Sequence, residues 1–216
     1  MRSRPHNDPE QPSALGMATR RLEAFSDAVF AIAITLLALT LQVPELTTVT
    51  SQALVAALLA HWPSYLSFVL SFVTVLIAWV YHHRLLQGAQ HAGTGLLYTN
   101  GALLLIVSAV PFPTALLGAY LTTPAASVAA AIYAGYIGLL NLSYNVLWWM
   151  VARPQRGSHV KDWRPPTSML LSYLGFPCYL VAVGIAFWSP AASLLICGAL
   201  WILWTIMAPM PSAAQE

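Results

Sequence analysis

One carboxylate stands where charge is costly. Residues Arg21 to Leu41 read RLEAFSDAVFAIAITLLALTL, an apolar helix with Asp27 just inside its start. At about 1.5 Å per residue Asp27 lies roughly 9 Å beyond Arg21, a depth inside the bilayer if the segment spans. An Asp at the centre of a spanning helix costs about 2.5–3.5 kcal/mol on insertion scales, so it is kept only where it faces protein or water. Two chemistries fit it: an anchor hydrogen-bonded to neighbouring helices, or, together with histidine, a step in a proton relay. Candidate partners are Trp79, His82 and His83 near the end of the second apolar segment and Asn100 near the start of the third. Trp79 and His83 are spaced i, i+4 and share a helix face. Arg21 and Asp27 are separated by about 120° around their helix, so the pattern predicts a network across three helices rather than a direct pair between these two. Hydrogen bonds between membrane helices average only about 0.6 kcal/mol. The worth of such a network lies in satisfying the carboxylate and fixing helix rotation.

The elements that position these residues are membrane helices. The chain has 216 residues, 58% hydrophobic and only 7% charged, with a mean hydropathy of +0.69. Soluble domains carry about 25% charged residues, so an all-α integral membrane protein is expected. A net charge of +2 is too small to suggest a nucleic-acid partner. Apolar runs predict six spans, over 20–43, 52–85, 94–120, 124–151, 166–188 and 190–208, each near or above the roughly 20 residues that cross a bilayer. Residues 1–19, with Pro5, Pro9 and Pro12, read as a disordered cytoplasmic N-terminus, 20–208 as the transmembrane domain and 209–216 as a cytoplasmic tail. Pro63 and the Pro111–Phe112–Pro113–Thr114 stretch should bend the second and third helices, since proline removes a backbone donor. Cys178 and Cys197 fall in predicted helices and read as packing residues.

Charge sets the orientation. Lys and Arg occur at 2, 4, 20, 21, 84, 153, 156, 161 and 164. With six spans, all of them fall at the N-terminus, the second-to-third loop or the fourth-to-fifth loop, which lie on one side. By the positive-inside rule both termini are then cytoplasmic. A five-helix count would break the pattern.

The first helix carries a second pattern. With Ile32 set to zero on a wheel of about 100° per residue, Leu36 falls near +40°, Leu39 near −20°, and Phe25 and Val43 near +20°. Thr35 and Ala28 flank this stripe, while Ser26 near +120° and Asp27 near −140° point away from it. In one reading the stripe faces lipid or packed helices. In the other it faces a symmetry axis, and copies of Ile32, Leu36 and Leu39 stack as apolar rings that gate a pore by dewetting. Periodicity does not choose between them. A transporter's relay would show broken helices around midplane polar groups, whereas the midplane here is apolar apart from Thr35, Ser71 and a few hydroxyls. His61, in the outer half of the second segment, reads as a packing or interfacial residue. No nucleophile elbow, paired-histidine helix, phosphate loop or Cys/His metal spacing occurs, so no enzymatic activity and no cofactor are expected.

Arg21-x-x-x-Phe25-Ser26-Asp27 at the start of a first membrane helix resembles the signature of the lysosomal potassium channels called the transmembrane protein one-seventy-five family. Ile32, Thr35, Leu36 and Leu39 continue the likeness, as do His82–His83–Arg84, Asn100 and Pro111–Phe112–Pro113–Thr114, and it extends over 20 to about 208. The resemblance implies a potassium-preferring cation channel like the family's bacterial members. Those are homotetramers of six-helix subunits in the cell membrane, with a pore lined by four first helices and no glycine-rich carbonyl filter. It places the constriction at Ile32, Leu36 and Leu39 and a selectivity-related hydroxyl at Thr35. It assigns Phe25, Ser26 and Asp27 to packing, with Arg21, Asn100 and one of His82 and His83 as network partners and Trp79 beside them. Potassium would be the permeant ion, with no other metal. A proton or weakly selective cation pathway is the alternative. Arg21 falls near −20° on the wheel, toward the pore of this reading. Four such charges would repel cations, so Arg21 is expected to be paired or turned aside.

Overall fold

The computed structural model describes residues 14–87, 93–152 and 167–207, and every regular element among them is helical. Helices are what lipid demands, because each backbone polar group must find its partner within its own segment. The helices are α1 (Ala14–Leu36, continued by a 3₁₀ turn over Leu37–Thr40), α2 (Ser51–Ala60), α3 (Trp62–Gln87) and α4 (Thr94–Ser108), followed by α5 (Pro111–Tyr120), α6 (Ala126–Ala152), α7 (Thr167–Ala186) and α8 (Pro190–Met207). Among the described residues, four stretches are long and apolar enough to cross a membrane: Thr19–Thr40, Trp62–Gln87, Thr94–Tyr120 and Ala126–Ala152. Shorter apolar helices accompany them.

Three boundaries depart from the sequence expectation. The first helix begins at Ala14, inside the segment expected to be disordered, and ends at Thr40 rather than 43. Pro44 follows; it has no N–H to give the carbonyl of Thr40, and it drives Val43, directly before it, out of the helical region; Leu41 is already extended, with φ −85° and ψ 95°. Val43 is therefore off the helix and outside its stripe. The second expected helix is two helices, because Pro63 has no N–H to give the carbonyl of Leu59 and its ring crowds that turn. His61 closes the break, with its backbone N–H on Ala57 and Leu58 oxygens and its Nδ1 2.8 Å from Ala57 O. The third is broken before Pro111. There Tyr136 on α6 donates its hydroxyl to the carbonyl of Ile106, 2.7 Å away. Residues 1–13, the 153–165 part of the basic loop and the 209–216 tail lie outside the described residues.

Two apolar cores share α6. One gathers Leu22, Phe30, Ala33 and Leu37 of α1 and its 3₁₀ turn with Val75, Leu86, Leu103 and Leu147. The other joins Leu117, Tyr133 and Ile137 to Tyr179, Ala182 and Leu194. A buried chain of hydroxyls spans α3, α5 and α6: Thr114 Oγ1 lies 2.6 Å from Ser71 Oγ, which lies 3.2 Å from Tyr133 Oη. Helix α1 packs on α3 and α4, while Phe25, Ile32, Leu36 and Leu39 stand exposed.

α6 and α7 approach closely at Gly138, where an added Cβ would stand 2.9 Å from Tyr179 Cβ. That atom is tied to the α7 backbone and does not yield. Gly138→Ala is expected to lower stability by about 1–3 kcal/mol through overpacking. Gly101→Ala, with nothing within 4 Å of its Cβ, should be neutral or slightly stabilising. Thermal unfolding of the two variants in detergent checks the contrast.

Candidate functional site: the first helix and its polar anchor

Ser26 and Asp27 sit one residue apart, so their side chains diverge by about 100° and enter different contacts. Ser26 is buried, as are His82 and Asn100. The three form a directed chain from α3 through α4 to α1. His82 Nε2 lies 2.7 Å from Asn100 Oδ1, Asn100 Nδ2 donates to Ser26 Oγ at 2.9 Å, and Ser26 Oγ donates to the carbonyl of Leu22 at 2.8 Å. An amide oxygen only accepts, so the proton of a neutral His82 sits on Nε2. Phe30 covers the His82 ring at a centroid distance of 5.1 Å.

Asp27, half-buried, accepts a 2.8 Å hydrogen bond from Trp79 Nε1. One turn along α3, His83 stacks on Trp79 with ring centroids 5.8 Å apart. Its Nδ1 lies 3.0 Å from Glu23 Oε1, an ion pair when the imidazole is protonated. Its Nε2 lies 2.9 Å from the side-chain amide nitrogen of Gln87. An amide N–H donates there, which leaves the proton of a neutral His83 on Nδ1, facing Glu23. Donor atoms of Glu23, Asp27 and His83 all lie within 4.8 Å of one another, a spacing that a shared proton or a small cation would fit.

The two histidines therefore do different things. His82 joins Ser26 through Asn100, and His83 joins the Glu23–Asp27–Trp79 group. Glu23 was missing from the sequence reading; its only signal there was its i, i+4 spacing from Asp27. Arg21 and Phe25 do not join the network expected of them. Both point outward, Phe25 being 61% exposed, because helical rotation carries them off the face that packs on α3 and α4. Arg21 is exposed and makes no ion pair among the described residues.

On this outward face lie Ile32 at 58% exposure, Leu36 at 40% and Leu39 at 75%. Ala24, Ala28, Ala31 and Thr35 are exposed beside them. Thr35 gives its hydroxyl proton to the carbonyl of Ile32, 2.8 Å away, which leaves oxygen lone pairs directed outward from the helix. These exposed positions recur every three or four residues from Arg21 to Leu39.

Residues 21–111 match the family described as the endosomal/lysosomal potassium channel TMEM175. A potassium channel of Chamaesiphon minutus is 42% identical over 190 residues, covering 87% of this chain and 94% of that protein. The chain belongs to the TMEM175 family. A potassium channel of Streptomyces collinus is 40% identical over 189 residues, 83% of this chain and 88% of its own length. The crystal structure of a lysosomal potassium-selective channel TMEM175 homolog from Chamaesiphon minutus superposes with a TM-score of 0.79 at 40% identity, over 90% of this chain and 100% of that one. The family is one of channels rather than enzymes, and this TMEM175 protein is a multi-pass membrane protein.

Trp79→Phe keeps the stacking surface for His83 and removes the one side-chain donor on Asp27 among the described residues. It is expected to lower stability by about 0.5–1.7 kcal/mol, the range of hydrogen bonds between membrane helices. Asn100→Leu orphans His82 Nε2 and should cost about 1–3 kcal/mol. Melting curves of the purified protein test both; unchanged midpoints would remove the anchor from the account.

Proposed function

We propose that this TMEM175 protein is a potassium channel whose pore is built by four copies of α1 around a fourfold axis. The observation that carries this reading is the division of α1 into two faces. Ser26 and Asp27 are tied to α3 and α4, while Ile32, Leu36 and Leu39 stand exposed on the other side. A soluble surface would not spend its largest apolar side chains this way, and a single subunit offers them no cover. The names of the Chamaesiphon and Streptomyces relatives support potassium as the permeant ion. The subunit has six spans, α2 with α3 and α4 with α5 each counting as one bent span. Both termini are cytoplasmic, in the cell membrane of a bacterium.

Conduction is passive. In the closed state the Ile32, Leu36 and Leu39 side chains of four subunits form apolar rings too narrow to hold a continuous water column, and an ion that would have to shed its hydration does not enter. Opening requires the four α1 helices to dilate or rotate. The polar anchor limits that movement, because turning α1 breaks the Trp79 and Asn100 bonds to it unless α3 and α4 move as well. Thr35 lies within the same turn of helix as Ile32 and Leu36. Four Thr35 hydroxyls replace part of the hydration of a passing ion. With no carbonyl filter, selectivity comes from pore radius, these hydroxyls and the cost of dehydration.

Purified protein in liposomes should pass potassium well above sodium and exclude a large organic cation. Ile32→Asn or Leu36→Asn should wet the constriction and raise leak. Wild-type flux in both would sink the pore assignment. Equal potassium and sodium flux, or current that follows only the proton gradient, would favour the weakly selective or proton pathway. Asp27→Ala should reduce the recovered tetramer more than it changes ion preference, as read by size-exclusion with light scattering beside the flux assay.

A further inference from the structure

Glu23 and Asp27 stand i, i+4 on α1 and share a helix face, and His83 of α3 meets that face. The atoms that the three side chains can offer a cation all lie within 4.8 Å of one another. Each keeps donor capacity. Asp27 gives one oxygen to Trp79 Nε1, and an ionised carboxylate has two oxygens with about four lone-pair directions. His83 Nδ1 is shut off from solvent and makes no hydrogen bond, although it lies 3.0 Å from Glu23 Oε1. The other ring nitrogen of His83 lies 2.9 Å from the Gln87 amide nitrogen, which steadies the ring. An ion can enter, since 38% of the His83 side chain and 23% of that of Glu23 are exposed. Two like charges one turn apart repel, and a cation between them would relieve that.

We propose that Glu23, Asp27 and His83 bind a divalent transition-metal ion of the zinc type, which joins α1 to α3. One imidazole and two carboxylates are a zinc donor set, with water in the fourth position. Mg²⁺ and Ca²⁺ prefer oxygen ligands alone, so the imidazole tips the choice toward a transition ion. At zinc–ligand distances of about 2.0–2.2 Å, the ligand atoms of a tetrahedral site stand roughly 3.3 Å apart. The 3.0 Å from His83 Nδ1 to Glu23 Oε1 is already close to that spacing. A metal on Nδ1 leaves the neutral ring's proton on Nε2. There the Gln87 amide, turned over by half a rotation, accepts it through Oε1, as an outer partner of a ligating histidine does. The pattern escapes a search for metal spacings because its ligands come from two helices far apart in the chain. The bridge opposes rotation of α1 against α3. Its bearing on gating rests on the pore reading above; metal binding does not.

The test uses the purified full-length protein in detergent, without an affinity tag and freed of metal by a chelator. Zn²⁺ is titrated by calorimetry, and Co²⁺ reports the coordination through its visible absorption. One Zn²⁺ per subunit is expected, with the intense Co²⁺ bands of a four-coordinate site. Glu23→Gln and His83→Asn should each weaken binding by more than about a hundredfold, beyond the loss of about 10–100-fold typical of an outer partner. Gln87→Leu should weaken it by about tenfold to a hundredfold, and Gln87→Glu, which keeps an acceptor for Nε2–H, should not. Zn²⁺ should raise the melting midpoint of the native protein, because it binds only the folded arrangement, and should leave that of Glu23→Gln where it was. Unchanged affinity in both Glu23→Gln and His83→Asn would overturn the proposal by placing the ion on other side chains. Displacement of Zn²⁺ by an equal concentration of Mg²⁺ would do so as well, by reducing the cluster to a general attraction for divalent charge. So would no binding at all. Ion flux is not read, so the result stands apart from the pore assignment.

Discussion

A carboxylate inside an apolar helix must be answered by a donor, and the answer here comes from a neighbouring helix. Trp79 on α3 holds Asp27, and Asn100 on α4 holds Ser26 beside it. Each bond is small on the scale of a membrane protein. Together they fix something that apolar packing leaves loose, which is the rotation of α1 about its own axis. Leucine and isoleucine pack almost as well after a twist of a few tens of degrees. An indole N–H to one carboxylate oxygen does not survive such a twist.

Fixing that rotation makes α1 a helix with two assigned faces. Phe30, Ala33 and Leu37 follow Ser26 into the subunit core. Ile32, Thr35, Leu36 and Leu39 are carried to the outside by the same 3.6-residue period. An anchor on one side and an apolar stripe on the other are thus one geometric fact. In the proposed tetramer the stripe becomes the gate, and gating couples to the α3–α4 pair because those helices own the anchor. The histidines add a further layer. His82 is locked in a one-way chain of hydrogen bonds, whereas His83 shares the Glu23–Asp27 group with Trp79 and Gln87.

The remainder of the chain supports that arrangement and builds a second feature. α6 carries both cores, so the α1–α3–α4 side and the α7–α8 side are held by one long helix. Gly138 lets α7 approach it, and Tyr136 caps the carbonyl freed where α4 gives way to α5. On the α3 side of the same helix, a cavity is lined by Tyr81, Tyr144, Trp148 and Trp204.

Much of this was legible along the chain. Low charge and long apolar runs require membrane helices, since no other composition tolerates lipid and no other local structure satisfies its backbone there. The positions of Pro44, Pro63 and Pro111 mark where helices stop or break, because a missing N–H is a local property. The period of α1 separates Ile32, Leu36 and Leu39 from Ser26 and Asp27 before any fold is known. What the chain does not carry is the identity of partners far apart in sequence. The choice of Trp79 among the candidate partners of Asp27, the separate duties of His82 and His83, and the entry of Glu23 all depend on how α3 and α4 sit against α1. Helical rotation and the register between helices decide these contacts. They are set by packing of the whole bundle, which only the tertiary structure contains.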